Sequence, residues 1–169
     1  VIACYFAVFN SPTELWPGCI EQIAPGAFSS SLGGDVRALV DHETRLVLGR
    51  TTAGTLTLRE DESGLYGEIK INPNDSDAMN LYARVQRGDV SQCSFGFEIV
   101  SEDYIVGSDG QTCTWTTHDL ILYEVSVVTF PAYEATSAYA RDAGDMASLR
   151  TARLNRRRQE LLERINKLC

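Results

Sequence analysis

Three side chains that together could activate a nucleophile stand on three separate strand-like stretches of this chain: His42, Ser94 and Glu124. A serine hydroxyl is a weak nucleophile at its own pKa and needs a base within hydrogen-bond reach. Imidazole suits that task because it takes and returns a proton near neutral pH. A carboxylate on the far ring nitrogen would fix the tautomer and steady the imidazolium as it forms. The chain order His, Ser, acid matches none of the common hydrolase orders, and no G-x-S-x-G elbow is present. Residue types alone therefore leave each group an ordinary reading as well: a strand serine, a core or capping histidine, a carboxylate on a solvated edge.

The elements that must position these groups can be read from period-two alternation. Around Ser94, Val90, Gln92, Gly96 and Glu98 share the hydroxyl's face, while Ser91, Cys93, Phe95, Phe97 and Ile99 point the other way. The Phe and Ile side chains predict a packed rear face, and Gly96 predicts space beside the hydroxyl for an approaching substrate backbone. His42 closes the strand-like run 35–42, in line with Val36, Ala38 and Val40. Glu124 lies in the longest strand signal, 119–130, among Leu120, Leu122, Ser126, Val128 and Phe130, a costly place for a carboxylate without a partner.

Elsewhere, residues 1–9 read as a first strand, and 54–60 and 65–71 form a hairpin around the turn Asp61-Glu62-Ser63-Gly64. A second hairpin flanks Gly107-Ser108-Asp109-Gly110. Residues 25–31 suggest a loop or one short helical turn. A helix is predicted from the capping residues Asn74-Asp75-Ser76 to Arg87, with Met79, Tyr82 and Val85 spaced by three and Gly88 as its stop. From about Asp142 the pattern turns to an amphipathic basic helix, with Leu154, Leu161 and Leu168 seven apart.

With 169 residues, 44% hydrophobic and 22% charged, the chain suits one domain with a short appendage: a body over 1–140 and a basic helical tail over 141–169. Residues 146–169 hold seven basic residues and two acids, or +5, so the net charge of −8 leaves −13 on the rest. An acidic body with a basic tail points to an acidic partner for the tail and disfavours nucleic acid as the main one. No apolar run reaches membrane-spanning length. Five cysteines without C-x-x-C, and only two histidines, support neither a disulfide framework nor a metal centre, and a reducing compartment is the simplest setting. No cofactor is expected.

Several stretches together resemble a known family. Phe6-Ala7-Val8-Phe9-Asn10-Ser11, Ile23-Ala24-Pro25-Gly26-Ala27-Phe28, residues 35–43, Val47-Leu48-Gly49-Arg50-Thr51 and Gly54-Thr55-Leu56 are similar, in order, to the prohead maturation serine proteases of tailed bacteriophages. So are Arg87-Gly88-Asp89-Val90-Ser91, Cys93-Ser94-Phe95-Gly96-Phe97, Leu122-Tyr123-Glu124-Val125-Ser126 and Thr129-Phe130-Pro131-Ala132-Tyr133. The family's histidine falls on His42, its serine on Ser94 and its acidic third member on Glu124. His118 is the rival third member, because the distantly similar herpesvirus assembly proteases use a second histidine. Gln92-Cys93 stands where the family more often reads Gly-Met, and Val127-Val128 where Pro-Val is common.

The resemblance implies a mainly β, α+β fold, a small herpesvirus-protease-like β-barrel with flanking helices and the C-terminal basic helix. It implies a serine endopeptidase located in the host cytoplasm, inside the immature prohead. The partners it implies are the major capsid protein with its scaffolding segment, and the protease itself through self-cleavage and homo-oligomer formation. No membrane partner is implied. The rival functions are a non-catalytic prohead assembly or scaffold protein of the same fold, and a small-molecule esterase, which would need a pocket rather than a groove.

Overall fold

The structure, a computed structural model, describes residues 1–131. Within them, nine strands and one helix follow in the order β1 (Ile2–Val8), β2 (Thr13–Trp16), β3 (Cys19–Ile23), β4 (Arg37–Val40), β5 (Glu43–Arg50), β6 (Leu56–Glu60), β7 (Gly64–Ile69), α1 (Ser76–Arg87), β8 (Gln92–Val106) and β9 (Cys113–Val128). The α+β, mainly β expectation holds, but the strands form two open sheets rather than a closed barrel. One sheet is β1-β7-β6; the other runs β2-β3-β9-β4-β5, with β8 also paired to β9. α1 is the one helix among the described residues. The tail helix expected after residue 141 lies outside them.

The long hairpin β8/β9 is the spine. β8 pairs antiparallel with β9 from Gln92↔Val128 to Val106↔Cys113, taking one edge along nearly its whole length. β3 and β4 therefore share the other edge end to end, both parallel to β9: β3 beside residues 113–117 and β4 beside 124–127. Where it meets the core, β9 buries Leu120, Leu122, Val125, Val127 and Val128, while His118, Ile121 and Tyr123 along the same strand are exposed.

Phe6, Phe28, Val36, Leu65, Ile69, Leu120 and Val125 are fully enclosed between the two sheets. Residues 24–34 lie between β3 and β4 as successive turns, with Ala27, Ser29 and Ser31 amides bonded to the Ala24, Gly26 and Phe28 carbonyls and no helix formed. Phe28 meets Phe95 edge-on at 5.3 Å, and Phe95 stacks on Phe97 at 4.8 Å. Truncating a ring this enclosed costs about 3–5 kcal/mol. Buried Ser31 donates to the Leu120 carbonyl at 2.7 Å and accepts from the Leu122 amide at 3.0 Å, fastening this segment to β9.

α1 forms where its caps require. Asp75 accepts from the Asp77 and Ala78 amides at 3.0 and 3.2 Å, and Gly88 closes the helix at φ 84°, a conformation that costs glycine little. The buried face is Ala78 and Leu81, with Tyr82 and Val85 partly covered, whereas Met79 is exposed. Spacing by three from Met79 thus finds the helix but misplaces one edge of its apolar stripe.

Cys19 and Cys113 are joined by a disulfide. This corrects the expectation that the cysteines support no disulfide. The two residues are 94 apart in sequence but directly opposite in the parallel β3/β9 register, a relation that cysteine spacing cannot reveal. Trp115 packs with the disulfide, and Trp16 and Tyr104 lie against that small second core.

Candidate active site

The site is built on β9. Glu124 sits between Arg37 of β4 and Gly96 of β8, and two residues on, Ser126 sits between Leu39 and Ser94. β4 ends at Val40, and the chain turns through Asp41 and His42 in the left-handed region, at φ 48° and 59°. Aspartate and histidine are among the residues that tolerate this region. The turn is held at several points: the Asp41 amide donates to the Val127 carbonyl at 3.0 Å, and Asp41 Oδ1 accepts from the Thr129 amide and hydroxyl, both at 2.6 Å. His42 is thus a turn residue at the end of β4 rather than the last member of its apolar row.

This turn swings the imidazole back over β9. His42 Nδ1 lies 2.6 Å from Glu124 Oε1, and the two side chains are only 10% and 14% exposed. A short, sheltered imidazole–carboxylate contact can serve as the orienting half of a nucleophile–base–acid array, because a carboxylate can decide which nitrogen carries the proton. The other carboxylate oxygen, Oε2, accepts from Ser126 Oγ at 2.5 Å, and Ser126 Oγ also accepts from the His42 amide at 3.2 Å.

Ser94 faces Ser126 across the ladder, 1% exposed, and its hydroxyl has no hydrogen-bond partner. Residues 92–95 are all buried, so both faces of β8 are covered here. The register then shifts between Gly96 and Phe97, which ends the simple alternation. The space beside Gly96, expected to admit substrate backbone, is filled by Glu124: a Cβ there would lie 2.5 Å from Oε1. Gly96 makes room for the carboxylate.

His118 is elsewhere. It is exposed and its Nε2 lies 2.9 Å from Asp103 Oδ2. Six residues of strand separate it from Glu124, about 20 Å at the usual rise. Of the two rivals for the acidic position, Glu124 is the one brought to His42. Glu43, next to the histidine, turns away to Arg45. Asp35 pairs bidentately with Arg50 at 2.7 and 2.6 Å, which holds its carboxyl well below the usual range. Cys93, beside Ser94, donates to Cys4 Sγ at 2.7 Å; that contact and burial push its thiol pKa well up.

This grouping of a serine, a histidine and a glutamate coincides with a match to known proteins. A family model described as caudovirus prohead serine protease matches residues 1–148. The chain belongs to that family. It is 34% identical over 145 residues to the prohead protease of Enterobacteria phage HK97, a match covering 83% of this chain and 60% of that protein. The chain therefore spans less than two thirds of this curated relative's length. No solved structure matches it. The matched region runs past residue 140, where the body was expected to end.

Residue-type reasoning did not single out Ser126 or Asp41. Ser126 had a visible signal, its place two residues from Glu124 on the same face. Asp41 had only its chemistry, a residue at ease in a left-handed turn.

Proposed function

We propose that this chain is a serine endopeptidase of the immature phage shell, which cleaves the scaffolding segment of the major capsid protein and then itself. The observation that carries the reading is the 2.6 Å contact between His42 Nδ1 and Glu124 Oε1, in a sheltered site on the strand next to Ser94. In the proposed mechanism, Ser94 Oγ attacks the scissile carbonyl and His42 Nε2 takes its proton. His42 then returns the proton to the leaving amine, while Glu124 keeps the imidazole in the Nδ1–H tautomer. Water hydrolyses the acyl-enzyme by the same route.

Ser94 Oγ is buried without a hydrogen bond. Leaving a hydroxyl so costs about 1–3 kcal/mol. We propose that substrate binding opens the approach to Ser94 and brings its hydroxyl to His42 in one step, since hydrogen bonds of this kind commonly tighten only with substrate in place. The likeness to herpesvirus assembly proteases and the docking of the basic tail onto acidic scaffold belong to the same proposal. Deleting residues 146–169 should impair cleavage of the scaffold, and unchanged cleavage would refute the docking.

The direct test is co-expression of the full chain, and of Ser94→Ala, with the major capsid protein, followed by mass spectrometry of the products. Scaffold cleavage by the parent chain alone is expected. Continued cleavage by Ser94→Ala would overturn the assignment.

A further inference from the structure

Ser126 is fully buried near the C-terminal end of β9, and its single hydroxyl touches two of the three groups the proposed mechanism needs. An ionised carboxylate can only accept hydrogen bonds, so at 2.5 Å from Glu124 Oε2 the Ser126 proton must be directed at that oxygen. The hydroxyl oxygen keeps lone pairs for the His42 amide, 3.2 Å away. One side chain thus fastens the far oxygen of Glu124 and also ties down the backbone of a histidine held at φ 59°.

Both constraints act on the same contact. With Oε2 fixed by Ser126, Oε1 is left facing Nδ1. On the opposite strand Gly96 has no side chain to contact the carboxylate, which occupies the space a Cβ there would take. Without the Ser126 hydroxyl, His42 would be the remaining side-chain partner among the hydrogen bonds described for Glu124. A half-satisfied, sheltered carboxylate seeks other donors or water.

We infer that Ser126 is a positioning residue for the reaction: it acts through Glu124 and His42 and touches no substrate. The inference rests on the reading of Ser94, His42 and Glu124 given above. A misplacement near 1 Å can cost about 100-fold in rate, so Ser126→Ala should lower activity about 10- to 100-fold. Ser126→Thr, which keeps the hydroxyl, should recover most of the loss.

The test is a cycle read as the second-order rate of Ser94 labelling by a fluorophosphonate, on the full chain, with Ser126→Ala, Glu124→Ala and the double variant. In the Glu124→Ala background, removing the Ser126 hydroxyl should cost no more than about threefold, because its main path of action is already gone. Losses that multiply, or wild-type labelling by Ser126→Ala, would overturn the inference. If Ser126→Ala does not fold, Ser126→Cys decides, since a thiol is a weak donor of similar size: a loss of about tenfold supports the role, and a wild-type rate refutes it. Equal labelling of Ser94→Ala would instead refute the nucleophile assignment, so the two failures are distinguishable.

Discussion

Gly96→Ala separates the architecture of the site from that of the fold. The added Cβ would stand 2.5 Å from Glu124 Oε1 and 3.2 Å from its Cδ and Cγ. Ordinary contact begins near 3.4 Å, so the carboxylate must retreat by about 1 Å, the scale at which misplacement costs about 100-fold. Displacing Oε1 on that scale takes it out of the geometry in which it meets His42 Nδ1 at 2.6 Å. The atom that yields is the end of a flexible side chain, and Gly96 does not have a positive φ. Alanine in a strand also regains roughly 0.5–1 kcal/mol over glycine. Stability should therefore change little while the labelling rate of Ser94 falls about 100-fold, close to 2.7 kcal/mol of transition-state stabilisation. Thermal melting and fluorophosphonate labelling of the full chain read the two quantities separately. Wild-type labelling would show that the carboxylate position does not matter, and a collapse in melting temperature would show that Gly96 serves the fold instead.

Other outcomes follow from the same geometry. His118→Ala should leave labelling within about twofold of the parent, since its partner is the exposed Asp103; a large loss would reopen the choice of third member. Breaking the Cys19–Cys113 link by Cys19→Ser should cost about 2–4 kcal/mol in chemical denaturation, and an unchanged midpoint would count against the bond. The Cys93 thiol, with its pKa raised by Cys4 and by burial, should resist alkylation near pH 8 in the native state and react once unfolded. The sign for stability follows from a folded pKa above the unfolded one: the contribution is complete below about pH 8.5 and is lost as pH rises through the folded value. Alkaline denaturation that Cys93→Ala leaves unaltered would refute this.

Much of the local structure was legible along the chain. Asp75 and Gly88 bracket α1 because a short acceptor side chain and a residue free to adopt positive φ are what helix ends demand. The β6/β7 hairpin and the tip of β8/β9 announced themselves through glycine-containing polar turns between alternating runs, whereas the joining of the Ser94 and Glu124 stretches in one long hairpin came from the register alone. The helix face was harder, since Met79 and Leu81 are both apolar and only packing against the core distinguishes them. The barrel that the resemblance implied is not closed among the described residues, and closure depends on which edges meet, which the pattern along the chain does not report.

For the site, the sequence by itself determined the candidates: one hydroxyl, one imidazole and one carboxylate on three strand-like stretches, with a resemblance that singled out His42, Ser94 and Glu124 from their neighbours. Tertiary structure decided the rest. It brought Glu124, and not His118, to His42, because the parallel pairing of β4 with β9 carries the Asp41–His42 turn to the end of β9 nearest Glu124. It gave the space at Gly96 to a carboxylate, and it made Ser126 the point where two of those groups are tied. Such assignments depend on strand register, in which a one-residue slip sends every side chain to the opposite face. Register is settled by contacts between stretches as distant in sequence as β4 and β9.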